Sequence, residues 1–212
     1  MRKITLSLVS LLALSGVAFA QGDTADKAIW EPASSAIYGG LGYGFFDQSV
    51  KGIEYPGAQS FSLGAHTVMF QGGYQYNPYI SVEARYWLGV TDIVQKRGEA
   101  PGAYAGDLDV WGVYVKPTLP VTDGFNLYML LGYSSNSTSY QSNNWDTSGF
   151  SWGVGLDMDA TNNFSVFVDY VNLTKLDSFD YTNQNGSEVP DVAANINAYT
   201  FNMGVNYKFA LN

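Results

Sequence analysis

Residues 198–209 alternate strictly. Tyr199, Phe201, Met203, Val205, Tyr207 and Phe209 fall on one parity, and Thr200, Asn202, Gly204, Asn206 and Lys208 on the other. Successive side chains of a strand point to opposite faces, so this stretch has one apolar face and one polar face. The same period-two pattern predicts eight strands, at roughly 36–46, 61–76, 79–88, 107–118, 125–135, 149–159, 164–171 and 196–209. In the first, Leu41, Tyr43 and Phe45 oppose Gly40, Gly42 and Gly44. In the third, Ile80, Val82, Ala84, Tyr86 and Leu88 oppose Ser81, Glu83, Arg85 and Trp87. In the sixth, Phe150, Trp152, Val154, Leu156 and Met158 oppose Ser151, Gly153, Gly155 and Asp157. For the fourth, Trp111, Val113 and Val115 are placed on the apolar face and Gly112, Tyr114 and Lys116 on the polar one; the opposite parity stays open.

The sizes of the residues decide what each face meets. The apolar faces are built from Tyr, Phe, Trp, Leu and Val, while the opposite faces hold Gly, Ser, Thr, Asn and single charges. A water-facing surface would carry many Lys and Glu, and these are scarce. The small polar face therefore lines a crowded interior, and the wide aromatic face meets lipid. Apolar-out and polar-in alternation over about ten residues is the pattern of a transmembrane β-barrel, and closure is what lets a sheet enter lipid without an unpaired edge. The connections agree. Residues 77–78, 119–124 and 160–163 are short and rich in Asn, Pro, Asp and Gly, whereas 47–60, 89–106, 136–148 and 172–195 are long and polar. Eight strands joined this way put the short turns and both termini on one side and the long loops on the other. The expected fold is all-β: an eight-stranded antiparallel transmembrane barrel, an up-and-down meander with short periplasmic turns and long external loops.

The first twenty residues read as a secretory leader. Arg2 and Lys3 precede the mostly apolar run Ile4 to Leu14, and "AFA" at 18–20 supplies the small residues of a cleavage site. The chain divides into a leader at 1–20, a periplasmic lead-in at 21–35, a barrel at 36–209 and an overhang at 210–212. The formal net charge is −9 and becomes two units more negative once Arg2 and Lys3 are removed. Such an acidic chain argues against nucleic acid as a partner. There is no cysteine, hence no lipid anchor, disulfide or thiol chemistry. The chain has 23 Gly, 16 Tyr and 12 Phe against 14% charged residues, which suits strands and close packing.

The chain resembles small outer-membrane β-barrel proteins of the OmpA/OmpX-like family. The resemblance rests on "SVEARYWLG", "VYVKPTLPVTDGFNLYMLLGYS", "GFSWGVGLDM", "VDYV" and "NMGVNYKF", in that order and spacing. It implies secretion through the leader to the cell outer membrane. The implied partners are outer-membrane lipid, lipopolysaccharide and the outer-membrane assembly machinery, with a monomer as the expected state. Two features depart from the family pattern: "ALN" follows the last aromatic, and no peptidoglycan-binding domain follows the barrel. No cell-wall tether is therefore expected.

The candidate chemistry is a set of lumen charges: Glu83, Arg85, Lys116, Asp157, Asp169 and Lys208. Charge facing lipid is costly, so the interior is where they belong. The interior of an eight-stranded barrel is just wide enough for side chains to fill it, so the three acids and three bases are read as a plug. Tyr74, Tyr207 and Phe209 are the expected lipid-interface anchors. His66 is the single histidine, and "AHTVMF" has no serine two residues on, while Ser62 lies four before. A surface or loop-packing role fits it better than a lipid-hydrolase triad. Asp177, Asp180, Glu188 and Asp191 lack the spacing of a calcium loop and read as solvated. Lys96 and Arg97 offer a small basic spot suited to lipopolysaccharide phosphate. The sequence reading is a non-enzymatic barrel with a structural role and adhesive or ligand-binding external loops, without cofactor or metal. A narrow channel for small solutes and a lipid-modifying enzyme are the alternatives.

Overall fold

The computed structural model describes residues 35–51, 61–96, 102–104, 107–122, 124–140, 143–182 and 188–211. The leader, nearly all of the lead-in, Arg97 and Asn212 lie outside the described residues. Lys96, Asp177, Asp180, Glu188 and Asp191 are described by their strand positions alone.

The strands are β1 (Ala36–Lys51), β2 (Phe61–Asn77), β3 (Ile80–Gly89), β4 (Ile93–Lys96), β5 (Gly102–Tyr104), β6 (Leu108–Thr122), β7 (Phe125–Tyr140), β8 (Asn143–Asp159), β9 (Phe164–Thr182) and β10 (Glu188–Ala210). All pairings are antiparallel, and β1 pairs with both β2 and β10, so the sheet closes. β3 and β4 both pair with β2 and together make one barrel strand, broken at residues 90–92. At the break Val90 N donates to the His66 carbonyl at 2.9 Å, and His66 N donates to Thr91 Oγ1 at 3.0 Å. These bonds satisfy backbone groups that the break would otherwise leave unpaired. The result is a closed eight-stranded antiparallel barrel, with no helix among the described residues.

Several sequence boundaries move. The stems of the long connections are themselves strand: β1, β7, β8, β9 and β10 run beyond the predicted limits, and β4 and β5 form a hairpin inside 89–106. Polar residues in these stems weaken the hydrophobic alternation, so the ladder outlasts the pattern. β6 runs on to Thr122, through most of the turn expected at 119–124, because Leu119 and Pro120 still pair with Leu127 and Asn126 of β7. Ala210, assigned to the overhang, is the last residue of β10 and pairs with Ala36, while Leu211 N donates to the Ser35 carbonyl at 2.9 Å.

The parity of the fourth predicted strand resolves as first placed. Trp111, Val113 and Val115 are exposed, and Tyr114 and Lys116 are buried. Outward rings form two rows. Near the short turns lie Tyr74, Tyr79, Phe164, Tyr207 and Phe209; toward the long connections lie Tyr43, Phe45, Tyr86, Trp111, Tyr133 and Trp152. Tyr199 to Phe209 covers about 33 Å of strand at 3.3 Å per residue. A strand tilt of about 40° reduces that to about 25 Å, the height of the apolar band of outer-membrane barrels.

Inside, bulky rings are accommodated by glycines directly across the ladder. Tyr38 pairs with Gly73, Tyr114 with Gly132, Tyr128 with Gly155 and Phe167 with Gly204. A Cβ at Gly204 would lie 2.6 Å from the Gly42 Cα and 2.7 Å from Phe167 Cζ. The absent side chain is what lets the ring lie down against its neighbour strand. The interior is not polar throughout. On the long-connection side Phe46, Leu63, Ile93, Leu108, Val110, Leu173 and Ala198 join a buried apolar cluster. That part lies beyond the outer row of rings, where an enclosed interior is free to pack as an ordinary core.

Gly204→Val should cost about 1–3 kcal/mol, because the added atoms meet backbone across the β1–β10 seam. Met203→Val, one residue earlier and facing outward, should change stability by less than about 0.5 kcal/mol. Urea unfolding of the folded protein in lipid or detergent, followed by gel heat-modifiability, measures both.

Candidate functional site in the barrel lumen

Glu83 and Arg85 sit two apart on β3, so both face inward and their long side chains meet above Ala84. Arg85 Nε lies 2.5 Å from Glu83 Oε1. Arg85 Nη1 lies 2.7 Å from Asp169 Oδ2, which arrives from β9 on the far side of the lumen. Lys116 Nζ of β6 approaches Glu83 Oε2 at 3.2 Å. Both carboxylates are held further by neutral donors. Tyr38 OH donates to Glu83 Oε2 at 2.6 Å and Tyr128 OH to Asp169 Oδ2 at 2.7 Å. Asn202 Nδ2 donates to Asp169 Oδ1 at 2.8 Å, and Trp87 Nε1 fixes that amide by donating to Asn202 Oδ1 at 2.9 Å. Glu83, Arg85, Asp169, Tyr38, Tyr128, Trp87 and Asn202 are all buried.

The four charges sum to zero, and rings flank them. Lys116 Nζ lies 4.1 Å from the Tyr128 ring centroid, and the Arg85 guanidinium carbon lies 5.9 Å from that of Phe167. Ion pairs out of water are favourable when geometry is good and the remaining lone pairs find donors, as they do here. Side chains from β1, β3, β6, β7, β9 and β10 thus cross the lumen at one level, and the passage is filled there.

The structure brings together four of the six predicted charges. Asp157 is buried nearer the short turns, where Ser165 Oγ donates to its Oδ2 at 3.3 Å. Lys208 lies at the short-turn mouth and pairs with Asp159 at 2.9 Å, both partly exposed. Asp159 went unnoticed in the sequence although it is the next inward parity after Asp157. Tyr38, Tyr128 and Asn202 are further members the sequence reading did not assign to the network. Their signal was parity opposite an apolar face, which does not distinguish a filler from a hydrogen-bond donor. Beneath the network a cavity of about 270 Å³ opens at the short-turn end, bounded by Tyr38, Lys116, Tyr128, Asn126, Asp157, the turn residue Pro78 and Pro120 near the end of β6. His66 faces outward in the outer row of rings. Its Nδ1 is 2.7 Å from Tyr43 OH, and its ring lies 5.0 Å from that of Phe45. Tyr74, Tyr207 and Phe209 are all exposed on the outer face, and Tyr207 packs edge-on against Phe209 at 4.7 Å between ring centroids.

A closed sheet with lipid-type residues outside and a paired charge network inside matches a known sequence profile. That of the outer membrane protein beta-barrel domain aligns with residues 7–209. The chain belongs to that family. Membership in the outer membrane protein beta-barrel domain family implies location in the outer membrane. No curated protein matches the chain. Among solved structures it is similar to the outer membrane protein AlkL in DMPC bilayers, with 15% identity over 84% of this chain and 91% of that one and a TM-score of 0.60. It is also similar to OprG from Pseudomonas aeruginosa, with 14% identity over 84% and 97% and a TM-score of 0.53. Neisserial surface protein A shows 14% identity over 82% and 97%, with a TM-score of 0.51. These likenesses establish the barrel fold; one fold hosts several functions, so the role rests on the residues.

Arg85→Met leaves Glu83 and Asp169 with Lys116 as the one base in the network, and should lower unfolding stability by about 3–5 kcal/mol. Lys51→Ala, at an exposed position, should stay within about 0.5 kcal/mol. Replacing Glu83, Arg85, Lys116 and Asp169 together by Gln, Met, Met and Asn should recover much of the loss, because no charge of the network is then stranded. Urea titration compares the three variants with the wild type.

Proposed function

We propose that the protein is a non-enzymatic outer-membrane barrel with a closed lumen, serving as a structural element and as a platform for external segments that adhere to or bind ligands. The observation that carries this reading is the Glu83–Arg85–Asp169 bridge, which spans the interior at one level with Lys116, Tyr38 and Tyr128 packed around it. A channel needs a continuous water path. Here three strands' charged side chains are tied to one another instead of facing such a path.

The outer part of the barrel supports the platform role. β9 and β10 have 19 and 23 residues, longer than the span of lipid requires. Leu173 of β9 and Ile196 and Ala198 of β10 are buried. The connections are thus carried on a packed column. Outer-membrane lipid, lipopolysaccharide and the assembly machinery are the partners this reading entails, with the chain acting as a monomer. The placement of His66 favours a non-catalytic role. Its Nδ1 is engaged by Tyr43, and Ser62 lies four residues away on the same strand face, about 13 Å at 3.3 Å per residue. That is far outside the reach of a nucleophile–base pair.

Reconstitution into planar bilayers tests the reading. The wild-type barrel should show no discrete conductance steps in 1 M salt on the order of that used for porins, and the variant lacking Glu83, Arg85, Lys116 and Asp169 should show raised leak. Stepwise wild-type currents that grow with salt concentration would establish a channel instead.

A further inference from the structure

The lumen charges pair off with one exception. Glu83, Asp169, Arg85 and Lys116 balance within the network, and Lys208 is matched by Asp159 at the mouth. Asp157 has no cationic partner among the described residues. It is 5% exposed; Ser165 Oγ reaches its Oδ2, and no protein group hydrogen-bonds its buried Oδ1. A buried carboxylate oxygen with neither donor nor counter-charge is unfavourable and calls for an explanation. Asp157 is one of the residues lining the 270 Å³ cavity at the short-turn end, and a rotation of its carboxylate would turn the unpartnered oxygen to that cavity.

The surroundings narrow the class of ligand. Asn126 is paired directly with Asp157 across the β7–β8 ladder and borders the same cavity. The Asp157 carboxylate presents acceptors alone, while the Asn126 amide has both an acceptor and donors. The group complementary to the carboxylate is one that only donates, and an ammonium carries three donors and no acceptor. No group of three or more His, Cys, Asp or Glu side chains able to hold a metal occurs among the described residues. The cavity has room for about nine waters at about 30 Å³ each, more than a bare ion fills. Lys116 Nζ at its inner end repels a second positive charge there, and at the mouth Asp159 is already paired with Lys208, which leaves Asp157 as the carboxylate of the lining without a cationic partner among the described residues. Pro78 and Pro120 supply apolar wall between these ends.

We propose that the short-turn end of the lumen is a binding site for small aliphatic amines, whose ammonium sits on Asp157 and Asn126 with the carbon chain directed out of the mouth. The site is separate from the question of conduction, since it lies on one side of the charge network and fills from that side.

The test uses the folded protein in detergent micelles, with putrescine as probe and backbone amide NMR as readout. Saturable shifts should centre on Asn126 and Asp157, and the uncharged isostere 1,4-butanediol should produce none. Asp157→Asn should weaken putrescine binding at least about tenfold, the loss of a charge-assisted hydrogen bond. Heat-modifiability on gels verifies that this variant is folded. Asp146→Asn, at an exposed carboxylate on the long-connection side, should bind as the wild type does. Absence of saturable shifts at these amides overturns the proposal. So does equal affinity in Asp157→Asn, an equal loss in Asp146→Asn, or saturation at the same amides by calcium chloride but not by putrescine.

Discussion

A sheet of eight strands closed on itself leaves an interior that backbone alone cannot fill and that side chains just can, and everything inside this protein answers to that volume. Closure is imposed by lipid, which offers no hydrogen bonds to an open edge. Once β1 has paired with β10, each inward side chain must share the lumen with those of seven other strands. The chain solves this by setting large against nothing: Tyr38 on Gly73, Tyr114 on Gly132, Tyr128 on Gly155 and Phe167 on Gly204 are direct ladder pairs. The many glycines are thus cross-strand seats for rings more than turn residues. The glycine stripe of β1 does the same for polar groups, since Asn206 and Asn202 lie against Gly40 and Gly44.

The same confinement gives the charge network its form. Charges in a narrow lumen are poorly solvated, so each must find its partner among neighbours fixed by the ladder register. A slip of one residue along β3 would turn Glu83 and Arg85 toward lipid. The ion pairs therefore act on register as much as on stability: Asp169 of β9 and Lys116 of β6 meet β3 side chains in one pairing and not in the shifted one. The hydroxyls of Tyr38 and Tyr128 link this constraint to the glycine seats, because a ring lying on its glycine carries its OH to a carboxylate at the lumen centre.

The barrel class, strand order and facing of the transmembrane parts were readable because lipid enforces period two over about ten residues. Glu83, Arg85 and Asp169 were readable as inward for the same reason. What the pattern missed lies where that enforcement stops. β10 above Tyr199 has no lipid to face, so its sequence loses alternation while its ladder continues to Glu188. The apolar inward residues Leu63, Ile93 and Leu108 belong to that zone, where the alternation of polar and apolar residues fades and facing is no longer legible. Within the site, parity identified which residues face the lumen and nothing more. Lys208 lies inward but near the chain end, so it pairs at the mouth with Asp159 instead of joining the central bridge. That Asp157 has no basic partner follows from three-dimensional accounting, since the sequence shows as many inward acids as bases in the set first considered.

The two zones of the interior divide the work. At membrane depth lipid presses on the outside, and polar pairing inside sets which strands meet. Beyond the outer rings the wall is flanked by solvent, and stiffness has to come from burial. There Phe46, Leu108, Val110, Leu173 and Ala198 pack as a core enclosed by the extended hairpins. A core of this kind ties β6, β9 and β10 to one another above the lipid. The connections between them are then held at fixed roots instead of fraying from the membrane edge. A filled lumen is the condition for that stiffness: an open pore would need the same inward positions lined with solvated groups, and the column above it would lose its core. On the proposed function, closing the passage and holding the external segments are one structural solution, read at two depths.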